Sequence, residues 1–282
     1  MILFKRSEDL TVYLEKQRPA GRQVGFIPTM GALHPGHISL IDISKRASLL
    51  SVCSIFVNPA QFNDPKDFQK YPITIENDIY LLEKAGTDVL FLPEAGDLYP
   101  GGIADLERYD LGYLETILEG FYRPGHFQGV CQVMRRLLDR VQPQHLFMGQ
   151  KDYQQCMVVG RLLALIGSDA ILHTVPTLRE ADGLAMSSRN MRLSGEERAK
   201  STGIYQALTY LKENCRPGEL AGLIDRACDL LLKHDFRIDY VEIADTGTLE
   251  KVSIWDGKQK LVSLIAAFQQ EVRLIDNMIL TE

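Results

Sequence analysis

The chain has one tryptophan among 282 residues and only five cysteines, Cys53, Cys131, Cys156, Cys215 and Cys228, none of them in a Cys-x-x-Cys pair. An odd, scattered set of this kind argues against a disulfide framework or a zinc site, and predicts reduced, mostly buried thiols in a cytoplasmic protein. No apolar run approaches the roughly 18 residues that a membrane span requires. Met1 to Leu10 alternates apolar and charged residues and lacks the core of a signal peptide. Excess positive charge is also missing: the net charge is −6, which argues against a general nucleic-acid binder, because counterion release needs a concentrated basic surface. Internal repeats and low-complexity tracts are absent. What is present, 45% apolar and 24% charged residues over this length, suits a globular enzyme-sized chain with a sizeable core in one large or two unequal domains.

Strand and helix signals alternate over the first 175 residues. Val24–Ile27, Ser51–Val57, Val89–Leu92, Leu146–Met148 and Ile171–Val175 read as strands, and His37–Leu50, Thr74–Ala85, Gly129–Arg140 and Tyr153–Gly167 as helices. That alternation predicts an α/β fold, a Rossmann-like parallel sheet with helices on both faces. Ligands of such sheets bind beyond the carboxyl ends of the strands, where strand order reverses. After about residue 176 the texture changes. Glu196–Asn214, with Ser194 as N-cap, and Gly218–Lys233 read as helices, then Asp239–Ile243, Leu261–Ala267 and Val272–Asp276 as strands, with a turn at Asp256-Gly257. The expected organisation is a Rossmann-like domain over 1–176 and a smaller C-terminal α+β domain over 177–282.

The densest chemical signal is Pro28-Thr29-Met30-Gly31-Ala32-Leu33-His34-Pro35-Gly36-His37, between a buried strand and a helix whose apolar face is Ile38, Leu40, Ile41 and Ile43. A strand-to-helix turn of this kind is expected to present free backbone N–H groups and the positive end of a helix dipole to phosphate. His34 and His37, three apart, fall on one side of the first helical turn. An ordinary βα turn with solvated or capping histidines would have the same local pattern.

Further clusters fall beside strand ends. Asn58 and Gln61 follow the strand that ends near Val57, where their amides could bond a polar ligand, although Asn-Pro also caps turns. Arg123-Pro124-Gly125-His126-Phe127-Gln128-Gly129 reads as a glycine-rich loop ahead of a helix. Gly149-Gln150-Lys151-Asp152 leads into the helix carrying Gln154 and Gln155; Lys151 suits a phosphate, and Asp152 a ribose hydroxyl or Mg²⁺. Met186-Ser187-Ser188-Arg189-Asn190 joins the expected domains, two hydroxyls and a guanidinium in a linker that could clamp a triphosphate on closure. Each cluster also has a plain reading as a polar connector or helix cap.

Their joint order is specific. A His-x-x-His turn followed late by Ser-Ser-Arg resembles the nucleotidyl-transferring α/β superfamily. Pro28–His37, Ile55–Phe62, Leu118–Val130, Gly149–Gln155, Asp182–Asn190 and Arg273-Leu274-Ile275-Asp276-Asn277 together resemble the pantothenate synthetase (pantoate–β-alanine ligase) family over almost the whole chain. The resemblance implies an AMP-forming ligase that condenses (R)-pantoate with β-alanine. Pantoate would first attack the α-phosphorus of ATP to give pantoyl adenylate and pyrophosphate; β-alanine would then displace AMP. It also implies that Met30, Gly31, Ala32, Leu33, His34, Pro35, Gly36 and His37 bind ATP, with His37 as proton donor. Gly149, Gln150, Lys151, Asp152, Leu178, Met186, Ser187, Ser188 and Arg189 would complete the ATP set, with His34, Lys151 and Arg189 also acting on the phosphates. Gln61 would contact pantoate and β-alanine, Gln155 would hold pantoate, and Asn58 and Arg123 would line that pocket. Mg²⁺ would come with ATP, held by phosphates rather than a protein cage, and the family pattern implies a homodimer with no nucleic-acid or membrane partner.

Two positions depart from the family pattern: Gln150 stands where Glu is common before Lys-Asp, and Ile73 follows Tyr71-Pro72 where Arg is common. The alternatives are another adenylate-forming or nucleotidyl-transferring enzyme and a non-catalytic nucleotide-sensing module. Paired Gln61 and Gln155 argue against the first, and retention of His37, Lys151 and Arg189 against the second. A tRNA synthetase is disfavoured by the short, acidic chain.

Overall fold

The computed structural model describes residues 1–18, 21–47, 49–63, 65–104 and 106–281. The chain divides into two compact units, one of Met1–Gln150 with Gln154–Pro176 and one of Lys151–Tyr153 with Thr177–Glu282.

In the first unit the order is β1 (Ile2–Phe4), α1 (Ser7–Gln17), β2 (Val24–Thr29), α2 (Pro35–Arg46), β3 (Leu50–Ile55), a 3₁₀ turn at Pro59–Gln61, α3 (Pro65–Gln69), α4 (Ile75–Lys84), β4 (Val89–Phe91), α5 (Ala95–Leu98), α6 (Leu118–Tyr122), α7 (His126–Val141), β5 (His145–Gly149), α8 (Tyr153–Leu165) and β6 (Ile171–Val175). The six strands form one parallel sheet in the order β1-β4-β3-β2-β5-β6. Alternation along the strands divides the core in two. Phe26, Val52, Phe91, Leu146 and Met148 pack with Leu10 and Leu14 of α1, Leu137 of α7 and Leu162 of α8. Their neighbours Ile27, Cys53, Leu90 and Phe147 face Leu40 and Ile41 of α2 and Leu82 of α4. A sheet apolar on both faces needs helices on both, and strands buried on both sides read as continuous apolar runs. The order reverses between β2 and β5, so the segments leaving Thr29, Ile55 and Gly149 emerge at the carboxyl edge around the switch point.

The second unit contains a 3₁₀ turn at Ser188–Arg192, α9 (Gly195–Lys200), α10 (Gly203–Asn214), β7 (Gly218–Glu219), α11 (Ala221–Lys233), β8 (Phe236–Asp245), β9 (Ile254–Trp255), β10 (Leu261–Gln269) and β11 (Val272–Ile279). An antiparallel sheet, β11-β10-β8, packs Val241, Ile265 and Leu274 against Ile204, Leu208 and Leu211 of α10 and Leu231 of α11.

Several expectations are corrected. The helix expected over Glu196–Asn214 is two helices. At the break after α9 the Ser201 hydroxyl bonds the Glu197 carbonyl at 2.7 Å and the Thr202 hydroxyl bonds that of Ala199 at 3.0 Å, a local competition that weakens and bends a helix. Ser194 does cap α9, accepting the Glu197 N–H while the Glu197 carboxylate accepts that of Ser194. Gly218–Glu219 pairs with β9 instead of opening a helix. The loop expected through Gly129 ends earlier, since α7 begins at His126. The helix expected over His37–Leu50 runs over Pro35–Arg46, and Ser48, inside the expected range, lies outside the described residues. β1 carries little sequence signal because its three residues are an edge strand with an exposed side.

Candidate active site

The turn after β2 is shaped by two successive residues with left-handed backbone, Gly31 (φ 82°) and Ala32 (φ 48°). Such curvature aims consecutive amides at one point and makes an anion-binding concavity. Here that anion belongs to the protein. Asp78 of α4, fully buried, accepts the Ala32 N–H at 2.9 Å and the Leu33 N–H at 2.8 Å, and takes a third bond from the Thr74 hydroxyl. The Gly31 N–H donates to Thr29 Oγ1 at 3.2 Å and the His34 N–H to His37 Nδ1 at 3.3 Å. The expectation of free backbone donors for phosphate is therefore corrected for the amides from Gly31 to His34, which are all engaged inside the protein. His34 and His37 are half-buried with ring centroids 4.0 Å apart and planes tilted by 37°. Because Nδ1 of His37 accepts a backbone N–H, a neutral His37 ring carries its proton on Nε2, as a donor.

Asn58 and Gln61 leave β3 as expected, but with unequal roles. Asn58 is 1% exposed, and its amide nitrogen donates to Gln61 Oε1 at 3.2 Å and to the Gly129 carbonyl at 3.0 Å. Its oxygen accepts the Tyr99 hydroxyl at 2.9 Å and the Ala60 N–H at 3.3 Å. An amide offers two donors and two acceptor positions, and all are filled. Ligand contact by Asn58, as expected from the sequence, is thus replaced by a supporting role: it orients Gln61, whose amide nitrogen lies against the Met30 thioether. Gly129 is glycine for a packing reason, since a Cβ there would lie 2.1 Å from the Ala60 carbonyl oxygen.

Arg123 enters the same support. Its guanidinium, a pure donor, bonds His126 Nε2 at 3.1 Å, which leaves the ring proton on Nδ1 to donate to the Gln61 carbonyl at 2.8 Å. Glu119 lies 3.7 Å from the same guanidinium. The sequence pattern does not single out His126 or Tyr99 as site residues; the signal of each is only that it is polar amid apolar neighbours.

The adjacent glutamines of α8 divide in the same way. Buried Gln154 accepts the Glu119 N–H at 3.0 Å and donates to the carbonyls of Leu114 and Ile117 at 2.8 and 3.0 Å. Gln155, half-buried, forms no side-chain hydrogen bond among the described residues.

In the second unit, Leu178 and Met186 are the two ends of one hairpin. The Met186 N–H donates to the Leu178 carbonyl at 3.0 Å, Arg179 bridges Ala185, and the Glu180 N–H donates to the Leu184 carbonyl at 2.8 Å. Ser187, Ser188 and Arg189 follow directly, and Ser187 Oγ caps their 3₁₀ turn by accepting the Arg189 N–H at 3.3 Å. Arg198 of α9 grips the hairpin through Asp182 and Glu180, each at 2.7 Å, and its guanidinium holds the Asp182 carboxyl below the ordinary carboxylate range. Lys151 and Asp152 sit half-buried in a single 3₁₀ turn with Gln150. Ile73, the second departure, is exposed.

Among the described residues no group of three or more His, Cys, Asp or Glu is arranged to hold a metal ion. Burial pushes the thiols of Cys53 and Cys131 up to about 12, so both stay protonated and unreactive.

Comparison with known proteins gives one answer. The family model for pantoate-beta-alanine ligase matches residues 2–279. The pantothenate synthetase of Cytophaga hutchinsonii is 39% identical across 99% of both chains, and that of Aquifex aeolicus is 38% identical across 98% of both. The crystal structure of pantothenate synthetase from Thermus thermophilus is similar with a TM-score of 0.88, 38% identity and full coverage of both chains. That of the pantoate-beta-alanine ligase of Francisella tularensis, complexed with beta-gamma ATP and beta-alanine, is similar with a TM-score of 0.82, 33% identity and coverage of 99% and 97%.

Proposed function

The chain belongs to the pantoate–β-alanine ligase family, and from that premise we propose how its residues divide the work of the ATP-dependent condensation of pantoate with β-alanine. A carboxylate is a poor electrophile, so it must first be joined to a good leaving group. In the proposed sequence a pantoate carboxylate oxygen attacks the α-phosphorus of ATP, the bond to the β,γ-diphosphate breaks, and pyrophosphate leaves. The β-alanine amine then attacks the carbonyl of pantoyl adenylate, loses a proton, and expels AMP.

The first step concentrates negative charge, so its barrier is largely electrostatic. The donors assigned to the phosphates are His34 and His37 from the turn, and Lys151, Ser187, Ser188 and Arg189 from the second unit. Leu178 is assigned to the adenine side of ATP, Met186 with Ser187 to Arg189 to its triphosphate, and Gly149 to Asp152 to ATP, with Lys151 reaching the phosphates. Gln61 and Gln155 are assigned to pantoate, and Gln61 also to β-alanine, while Asn58, Arg123 and His126 hold Gln61. Mg²⁺ is assigned to the ATP phosphates and water, a binding mode for which a protein cage is unnecessary; it would neutralise phosphate charge.

The observation that carries this reading is the His34–His37 pair, braced by the Asp78-anchored turn at the carboxyl edge of the sheet, with the Nδ1 of His37 accepting the His34 N–H. A homodimer in the cytoplasm completes the proposal. Five free thiols, four of them buried, suit a reducing compartment, and no helix among the described residues is long and apolar enough to cross a membrane. Sedimentation at twice the mass of the chain would support the dimer.

Isotope transfer tests the chemistry. Pantoate labelled with ¹⁸O in its carboxylate delivers one labelled oxygen to AMP in the adenylate route. Label in inorganic phosphate together with ADP would mean an acyl phosphate instead, and unlabelled AMP formed with pantothenate would sink the proposed intermediate.

A further inference from the structure

The second unit carries its ATP-assigned residues on separate stretches of chain: the Lys151 turn, Leu178, and Met186 through Arg189. Leu178 and Met186 are joined by their hairpin, and both stretches lead back to two consecutive residues of β11, Asp276 and Asn277. Asp276, 3% exposed, receives the Arg179 guanidinium as a fork, at 2.6 Å on one oxygen and 3.1 Å on the other. The same guanidinium donates to the Gly183 carbonyl at 3.0 Å and to the Asn277 carbonyl at 3.2 Å, and lies over the Tyr205 ring at 4.9 Å. One arginine thereby pins both strands of the hairpin to β11 and α10. The remaining link is the Asn277 side chain, which is 2% exposed and donates its amide to the Lys151 carbonyl at 2.9 Å.

We propose that Asp276 and Asn277 are positioning residues for ATP: with Arg179 they fasten the Lys151 turn and the Leu178–Met186 hairpin to one point of β11, and so set Lys151 and Ser187–Arg189 in a single fixed arrangement. The inference rests on the assignment of those residues to ATP. The geometry favours it over a merely structural role for β11. Core stability is served by the apolar residues Val272 and Leu274 of the same strand. The Asn277 amide instead reaches a backbone carbonyl 126 residues away in sequence, on a lysine whose ammonium makes no hydrogen bond or ion pair among the described residues. A polar tether at that carbonyl fixes where the lysine side chain starts without bonding its ammonium, and the Asp276 carboxylate feels the lysine charge from beyond ion-pair distance.

Full-chain enzyme with Asn277→Ala, alone and combined with Lys151→Ala, tests this. Asn277→Ala is expected to slow single-turnover adenylate formation and raise the KM for ATP by about ten- to a hundredfold, while the KM values for pantoate and β-alanine stay within about twofold. In the Lys151→Ala background the same change should add less than about twofold, since residues acting through one another are non-additive. Equal losses toward all three substrates, effects that multiply with Lys151→Ala, or an unchanged ATP response beside an impaired Lys151→Ala would each overturn the inference. Lys151→Ala with unaltered ATP kinetics would instead defeat the assignment of Lys151 itself, and the inference with it. If Asn277→Ala does not fold, Arg179→Lys takes its place: it keeps a cation beside Asp276 but loses the fork, and the same selective loss toward ATP is expected.

Discussion

His37 shows how a backbone sets the chemistry of a side chain. Its Nδ1 faces the His34 N–H, so a neutral ring carries its proton on Nε2, where it can donate. Removing that donor by His37→Ala should depress single-turnover formation of pantoyl adenylate by about a hundredfold or more, with pantoate affinity changed by less than about threefold; near-wild-type adenylation would refute the role. The paired glutamines of α8 give a second residue-scale prediction. Gln154 satisfies the Glu119 N–H and two carbonyls, so Gln154→Ala should lower stability by about 1–3 kcal/mol, the usual cost of leaving buried polar groups unmatched. Gln155→Ala, by contrast, should leave the thermal midpoint nearly unchanged and raise the KM for pantoate. A reversed pattern would exchange their roles. Two identical neighbours on one helix are indistinguishable by type, and only their surroundings separate them.

A carboxylate on one helix shapes the turn before another. Asp78 of α4 fills the concavity made by Gly31 and Ala32, and both of its oxygens are bonded there. Asp78→Asn would turn an NH₂ toward a backbone donor. It is expected to cost about 2 kcal/mol or more of stability and to impair adenylation more than the reaction of supplied pantoyl adenylate with β-alanine; equal effects on both halves would argue that the turn serves only the fold. The hairpin of the second unit carries a pH prediction. Arg198 lowers the Asp182 pKa, and a carboxyl whose folded pKa is depressed adds stability above its unfolded value, near 3.9, that is lost as pH falls through the folded value. Both partners are partly exposed, so Arg198→Met should cost less than about 1 kcal/mol at pH 7. The gap in thermal midpoint between variant and wild type should close as the pH is taken below about 4. A gap that persists there would mean that the arginine acts by packing alone.

At the scale of the whole molecule the second chemical step carries a pH prediction. β-Alanine must attack as free amine, yet an alkyl amine of pKa about 10 is mostly protonated at pH 7. The isolated reaction of pantoyl adenylate with β-alanine should therefore accelerate from pH 7 toward 9, approaching tenfold per unit; a flat profile would show that the protein lowers the amine pKa or that a conformational step limits the rate.

Much of this protein is decided by local pattern. The five apolar runs and four amphipathic stretches of the first 175 residues predict a parallel sheet, because period-2 and period-3.6 burial are properties of neighbours in sequence. The His34–His37 spacing and the order of the later clusters identify the family for a similar reason: each is a short segment whose chemistry is read within a few residues. What sequence pattern did not reach is where polar groups find partners across long separations. Asn58 reads as a ligand residue until Tyr99 and Gly129 are brought to its amide, and the amides of Ala32 and Leu33 read as phosphate donors until Asp78 arrives from 45 residues or more away. Likewise the link from Asn277 to Lys151 has no local signature. Hydrogen-bond saturation depends on which distant groups the packed core delivers to the same few ångströms. Tertiary structure alone therefore separates polar groups already satisfied inside the fold from the residues proposed to meet substrate.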